Sequence, residues 1–113
     1  MSEHDEQVAL IRWFDLQIKS ERIFATPNAG KRSWALANYM KAEGLREGVP
    51  DLFMPCPNKH FHGLFIEMKY GKNKVTEAQS EWVDYLNSRG FMAIACWSFK
   101  EAQEVIIKYL KER

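Results

Sequence analysis

The sequence predicts an α/β domain in which helices flank a small mixed β-sheet, and three observations support this prediction. Segments of helical and strand periodicity alternate in the order helix, strand, helix, strand, strand, helix, strand, helix. The helix between the last two strands permits a parallel crossover, whereas the short stretch between the two central strands favours a hairpin. The 113 residues, 46% of them hydrophobic, suffice for one core, so we assign residues 1–113 to a single domain.

Four helices are predicted, over residues 3–20, 33–43, 76–88 and 98–110. In the first helix, Leu10, Phe14 and Ile18 recur at helical spacing and form an apolar stripe. The start and stop of the third helix carry the clearest signals. Thr76 and Gln79 have the spacing of a capping box, and Gly90 follows the last turn as a stop.

Four strands are predicted, over residues 22–26, 51–54, 64–69 and 91–97. Pro27 closes the first strand, and Pro55 and Pro57 close the second, because proline cannot donate to a ladder. The eight residues from Cys56 to Gly63 make a hairpin the most economical connection between the second and third strands.

The composition excludes several classes of protein. No apolar run approaches the roughly 18 residues of a membrane-spanning helix, and the acidic N-terminus is unlike a secretory signal. Two cysteines are too few for a disulfide scaffold. We therefore expect a cytoplasmic domain (in the host cytoplasm if the gene is viral) with no membrane partner. The net charge of +1 gives no global field for nucleic acid, so a DNA partner must be argued from local features.

The most informative segment is the third strand, Ile66-Glu-Met-Lys69. Strand alternation places Glu67 and Lys69 on one face, and Asp51 begins the neighbouring strand, where its carboxylate can lie beside Glu67. Two adjacent carboxylates repel unless a cation neutralises them. Hard oxygen ligands, with the main-chain carbonyl of Met68 as a further donor, favour Mg²⁺ or Mn²⁺ over zinc. The alternative interpretation is an ordinary surface ion pair between Glu67 and Lys69.

These residue types match the needs of phosphodiester hydrolysis. A divalent ion polarises a phosphate oxygen and lowers the pKa of a bound water. Lys69 can orient or deprotonate that water, or stabilise the charge that grows on the phosphate.

The pattern Pro50-Asp51 … Glu67-x-Lys69 resembles the catalytic signature of the PD-(D/E)XK nuclease superfamily. The whole chain is similar to one branch of it, the VRR-NUC (virus-type replication-repair nuclease) domain, in its stand-alone phage or bacterial form. The matching motifs, in chain order, are Glu6, Asn28-Ala-Gly30, Gly48-Val-Pro-Asp-Leu52, Phe65-Ile-Glu-Met-Lys69 and Thr76-Glu-Ala-Gln79. The resemblance implies a restriction-endonuclease-like core and covers nearly the whole chain.

The resemblance also implies a role for each site residue. The implied catalytic set is Asp51, Glu67, Lys69, Glu6 and Gln79. Asp51 and Glu67 would bind Mg²⁺ or Mn²⁺ together with the Met68 carbonyl, and Lys69 would assist the attacking water. Glu6 would complete the acidic site from the first helix, directly or through a water.

Glu6 and Gln79 also have simpler interpretations. Glu6 lies one turn before Leu10, at the edge of the apolar stripe, so its carboxylate can face the sheet. An acid at a helix start is equally explained by the macrodipole, and Glu3 and Asp5 are the alternative acids if the alignment slips. Gln79 has a second explanation as the capping partner of Thr76, and both roles can hold together.

DNA contacts are expected from two basic loops. Asn28, Lys31 and Arg32 are placed to grip a DNA backbone where a loop enters the second helix, and Lys72 and Lys74 follow the catalytic strand. A zinc site among Cys56, His60 and His62 is disfavoured, because no fourth ligand stands at a familiar spacing.

We expect a Mg²⁺- or Mn²⁺-dependent DNA endonuclease that acts on branched DNA such as Holliday junctions. Symmetrical cleavage of two strands requires two active sites, so a homodimer is expected. The second helix, with Trp34, Leu36, Tyr39 and Met40, is a candidate dimer contact, although the same residues would also suit a core. The alternatives are a nickase or an end-dependent nuclease of the same superfamily, and a non-catalytic DNA-binding module, which the carboxylates disfavour.

Overall fold

The computed structural model describes residues 1–27 and 33–113, and its elements follow the predicted order. The helices are α1 (Glu3–Gln17), α2 (Trp34–Ala42), α3 (Glu77–Ser88) and α4 (Phe99–Lys111). The strands are β1 (Phe24–Ala25), β2 (Leu52–Met54), β3 (Leu64–Met68) and β4 (Met92–Cys96). The predicted α/β class is confirmed. Within the described ranges, none of these helices combines the length and apolar character needed to cross a membrane.

The four strands form one mixed sheet in the order β1-β2-β3-β4. Strand β2 runs antiparallel to both β1 and β3, while β3 and β4 are parallel. The predicted hairpin between β2 and β3 and the parallel crossover through α3 are therefore confirmed. The crossover matters for the site, because it places the start of α3 beside the carboxyl end of β3.

The hydrophobic core fills one face of this sheet. Leu64, Ile66 and Met68 alternate along β3 and point into the core, where none of them is exposed. Helices α1 and α4 cover this face and contribute further core side chains, which are Leu10, Phe14, Ala102, Ile106, Tyr109 and Leu110. The other residues of β3 therefore point to the opposite face, and these include Glu67.

The opposite face carries a row of aromatic rings that leads toward Glu67. Phe53 and Phe65 lie opposite each other in the register and stack with their ring centroids 4.1 Å apart. Phe24 and Phe91 pack edge-on against Phe53. Glu67 follows Phe65 by two residues, so it shares the face with this row at the end nearer to α3.

Helix α2 differs from the other helices because none of its residues is buried. Trp34 and Tyr39 are 83% and 67% exposed, and Leu36 is also exposed. The interpretation of these three residues as core residues is therefore wrong. They leave an apolar surface open on α2.

Two predicted elements differ from the structure by more than one residue at one end. The first helix ends at Gln17 rather than at residue 20, because Ile18 adopts extended backbone angles and caps the last turn. The first strand contains only Phe24 and Ala25 instead of residues 22–26, because its partner β2 is itself only three residues long.

Candidate active site

The register of the β2–β3 hairpin sets the two predicted carboxylates opposite each other. Leu52 pairs with Ile66 in this antiparallel ladder. Asp51 is the residue just before β2, and it therefore stands across from Glu67, the residue that follows Ile66. Side chains of directly opposed residues lie on the same face, with Cβ atoms roughly 4.5–5.5 Å apart. The hairpin thus brings together two carboxylates that are 16 positions apart in the sequence.

Glu67 is buried although it is an acid, with only 2% of its surface exposed. Burial raises the pKa of Glu67 well above its usual value of 4.5, and the nearby charge of Asp51 and a hydrogen bond to Asp51 raise it further. The ammonium of Lys69 acts in the opposite direction and lowers the pKa. A raised pKa means that Glu67 favours its neutral form unless a cation stabilises the charged one.

Asp51 is fixed by contacts on both sides of its strand. Its Oδ2 accepts a hydrogen bond of 2.8 Å from the backbone N–H of Met68. Its own carbonyl accepts a 2.8 Å bond from the N–H of Thr26, whose hydroxyl donates to the carbonyl of Pro50 at 2.6 Å. The carboxylate is therefore held at the end of β3 and cannot turn away without breaking the ladder.

Gln79 both caps its helix and contacts Glu67, while its catalytic role stays a prediction. Its side-chain Oε1 accepts a 2.9 Å bond from the backbone N–H of Thr76. The backbone N–H of Gln79 donates to the Thr76 hydroxyl at 3.2 Å, which completes a capping box. The side-chain nitrogen of Gln79, Nε2, donates to Oε2 of Glu67 at 3.2 Å. The first turn of α3 thus orients the Glu67 carboxylate.

Lys69 lies just beyond the end of β3, on the same face as Glu67. It is only 7% exposed, and its backbone N–H donates to the carbonyl of Cys96 at 2.8 Å, which extends the parallel ladder by one residue. Its charge is close enough to affect the pKa of Glu67. The strand pattern predicts that Lys69 shares a face with Glu67, and the burial of both residues agrees with this placement.

The first helix brings acids toward the same place. Glu3 is half-buried, and its charge contributes to the raised pKa of Glu67. Glu6 is also half-buried and lies three residues later, which is the same side of α1. Asp5 is exposed, and its carboxylate accepts a 3.0 Å bond from Ser2 at the helix cap. Glu3 is therefore an acid with an electrostatic effect at the site, while the role of Glu6 stays a prediction.

A cavity of about 270 Å³ opens onto the carboxylate pair. One wall contains Asp51 and Glu67 together with Thr76 and Gln79 from the start of α3. Other lining residues come from α2 and the loop that follows it, and these are Ala37, Lys41, Arg46 and Glu47. The lining thus carries two cations in addition to its acids.

Gly48 is essential to the shape of this cavity. Its φ angle of +91° lies in the left-handed region, which favours glycine. A Cβ added there would lie 2.6 Å from the carbonyl carbon of Ala78, in the first turn of α3. This close approach of two backbones fixes the loop that leads into Asp51 against the helix that carries Gln79.

The donor set suits a small divalent cation. Asp51 and Glu67 provide two carboxylates, and burial makes their shared negative charge costly without a cation. Hard oxygen donors of this kind fit Mg²⁺ or Mn²⁺. Among the described residues there is no group of three or more His, Cys, Asp or Glu side chains that could hold an ion. Met68, which lies between Glu67 and Lys69 in the sequence, stays the predicted source of a main-chain oxygen.

The structure describes only some of the residues predicted to contact DNA. Lys72 and Lys74 are exposed in the loop after β3. Asn28, Lys31 and Arg32 lie outside the described residues. Local sequence patterns predict no role for Lys41 and Arg46, although both line the cavity. Their sequence context hints only weakly at a place in the site: Lys41 follows Ala37 by one helical turn, and Arg46 precedes the Gly48-Val-Pro50 turn.

Comparisons with known proteins agree with this geometry. The sequence profile of the VRR-NUC domain matches residues 1–100. A solved structure described as a VRR_NUC domain protein superposes with a TM-score of 0.86 and 27% sequence identity, over 100% of this chain and 91% of that one. No curated protein matches the chain.

Proposed function

The chain belongs to the VRR-NUC family of nuclease domains, and from this premise we propose that it is a Mg²⁺- or Mn²⁺-dependent DNA endonuclease. Its proposed substrate is branched or structured DNA, with four-way junctions as the preferred form. The observation that carries the proposal is the buried Glu67, which the register sets opposite the half-buried Asp51 and which Lys69 accompanies. A purely structural role does not explain an acid kept out of water beside a second acid, because burial and the neighbouring charge both disfavour its ionised form.

Asp51 and Glu67 are the proposed ligands of the ion, with the Met68 carbonyl as a third donor and an acid of α1, Glu6 or Glu3, acting directly or through water. The ion, when bound, stabilises negative charge on the phosphate that is cleaved. Gln79 keeps the Glu67 carboxylate in one orientation through the 3.2 Å bond from its amide. This fixed orientation supports catalysis because a ligand that is already positioned needs no reorganisation during the reaction.

Lys69 is the proposed partner of the attacking water. Lys69 is buried on the Glu67 face, and its charge is close enough to lower the pKa of Glu67. In its neutral form the amine orients the water and accepts its proton as the oxygen attacks phosphorus, and the resulting ammonium stabilises the charge that grows on the phosphate. The 3′-side or 5′-side oxygen leaves on the opposite side of the phosphate, and the proton that it needs comes from solvent.

A homodimer is the proposed active form. One chain of 113 residues carries one such site, and two strands of a junction can be cut symmetrically only by two sites related by a two-fold axis. The exposed apolar surface of α2 supports this proposal, because Trp34, Leu36 and Tyr39 have no core role. Light scattering should report a mass near twice 13.3 kDa, and Trp34→Ala with Tyr39→Ala should shift it toward the monomer.

The decisive experiment is a panel of labelled DNA substrates, tested with each divalent metal and with EDTA. Wild type should cleave four-way junctions in Mn²⁺ or Mg²⁺ faster than flap, nicked or linear duplexes. Asp51→Asn should abolish cleavage, while Glu104→Gln, an exposed acid on α4, should leave it unchanged. Preferred cleavage of nicked or linear duplex would replace the junction assignment with a nickase or an end-dependent nuclease. Equal activity of wild type and Asp51→Asn would overturn the proposal.

A further inference from the structure

The cavity that Asp51 and Glu67 line also carries two cations that the catalytic set does not use. Lys41 lies on α2 one turn after Ala37, and both residues line the cavity. Arg46 lies in the following loop, and its Nη1 is 3.5 Å from the backbone carbonyl of Lys41. Lys41 and Arg46 therefore belong to one connected part of the lining that Asp51 and Glu67 share.

Neither cation is neutralised by a neighbouring acid. In the described ranges, 1–27 and 33–113, no salt bridge involves Lys41 or Arg46, and the adjacent Glu47 forms none with them. Both side chains are exposed, so their charges are available to a ligand in the cavity. Two cations without an acidic partner therefore line the same cavity as Asp51 and Glu67, where they attract an anionic ligand.

We propose that Lys41 and Arg46 form a phosphate-binding subsite for the DNA backbone next to the phosphate that is cleaved. This inference rests on the function proposed above and deepens it. A strand that brings one phosphate to Asp51 and Glu67 carries further phosphates on both sides, and these would be repelled by the acids alone. The two cations offset that repulsion and fix the direction in which the strand crosses the cavity.

The rigidity of the wall makes such a subsite effective. Gly48 is pressed against Ala78, so the loop that carries Arg46 is tied to the helix that carries Gln79. A phosphate held by Arg46 is therefore kept at a constant distance from the group that orients Glu67. Contacts that position a substrate in this way lower KM and contribute to kcat only through alignment.

The test measures how binding of a four-way junction in EDTA depends on salt. The double variant Lys41→Ala/Arg46→Ala should make the slope of log K against log salt less steep by about 1.8, and should weaken binding roughly 10- to 60-fold at 0.1 M salt. The matched control is Lys108→Ala/Lys111→Ala, which removes two exposed charges from the far end of α4 and should leave the slope unchanged. Lys41→Arg/Arg46→Lys keeps both charges and should keep the slope.

Cleavage by the same variants in Mn²⁺ completes the test. The double alanine variant should raise KM about 10-fold or more and change kcat about threefold at most. An unchanged slope and KM, or an equal loss in the α4 control, would overturn the subsite while wild-type cleavage still supports the nuclease. Absence of binding and cleavage by wild type would instead overturn the proposed function, and the subsite with it.

Discussion

Glu67→Gln should stabilise the protein without metal and remove its response to metal. Glu67 is buried opposite Asp51, and burial together with the Asp51 charge raises its pKa to about 9, so the folded protein without metal keeps this acid neutral at pH 7. Protonating at pH 7 an acid whose usual pKa is 4.5 costs folding about 3 kcal/mol. The amide keeps the size of the side chain, and its oxygen can still accept the bond from Gln79.

The expected gain is smaller than this cost, because the amide of the variant must also be desolvated and hydrogen-bonded in the same buried position. We expect a net gain of about 1–2 kcal/mol, which raises Tm in EDTA by about 4–8 °C. Adding Mn²⁺ at about 100 times its Kd should stabilise the wild type by about 2.7 kcal/mol and the variant by almost nothing. The order of the two melting temperatures should therefore reverse when Mn²⁺ is added.

Thermal denaturation followed by circular dichroism measures this reversal, with Glu104→Gln as the control. That variant also loses one acid, but its side chain is exposed on α4, far from the pair, so both of its melting temperatures should match the wild type. A lower Tm for Glu67→Gln in EDTA, or a full response of the variant to Mn²⁺, would refute the account of Glu67 as a metal ligand held at a cost in stability.

Three further substitutions test other parts of the structure. Lys69→Ala should lower kcat on a four-way junction by about 10²-fold or more. Lys69→Arg should lose as much activity, because a guanidinium does not accept the proton of water. Substantial activity of Lys69→Arg would assign the residue a purely electrostatic role. Gly48→Ala should lower the free energy of unfolding, measured by urea denaturation, by roughly 2–4 kcal/mol, because the added Cβ meets Ala78 at 2.6 Å in a left-handed backbone. In the control Gly44→Ala the added Cβ meets nothing within 4 Å, so the free energy of unfolding should fall by less. Burial raises the pKa of the Cys56 thiol from 9.0 to about 11, so the folded state favours the neutral thiol. The free energy of unfolding should therefore fall between pH 9 and 11, and Cys56→Ala should show a shallower fall. An identical pH profile of the variant would contradict the raised pKa of Cys56.

Much of the fold follows from local patterns in the sequence. The alternation along β3 separates Leu64, Ile66 and Met68 from Glu67 and Lys69 before any tertiary contact is known. The loop of eight residues makes β2 and β3 a hairpin, and the prolines on both sides of β2 limit its length. Period-2 alternation and turn chemistry are properties of neighbouring residues, which is why these features could be predicted.

The dual role of Gln79 shows where local reasoning stops. The spacing of Thr76 and Gln79 predicts the capping box, because both residues belong to one helical turn. The bond from Gln79 to Glu67 depends on the crossover that brings α3 over the end of β3. The resemblance to a nuclease family suggested a position near the centre, but only the packing of α3 gives the contact.

The sequence by itself determined the order of the elements, the shared face of Glu67 and Lys69, and the pairing of Asp51 with the same strand. The tertiary structure decided which distant groups join them: the charge of Glu3 from α1, and the wall formed by Lys41 and Arg46. It also decided that α2 stays outside the core. The physical reason is that backbone periodicity constrains only residues close in sequence, whereas electrostatic contacts depend on how whole helices pack against the sheet.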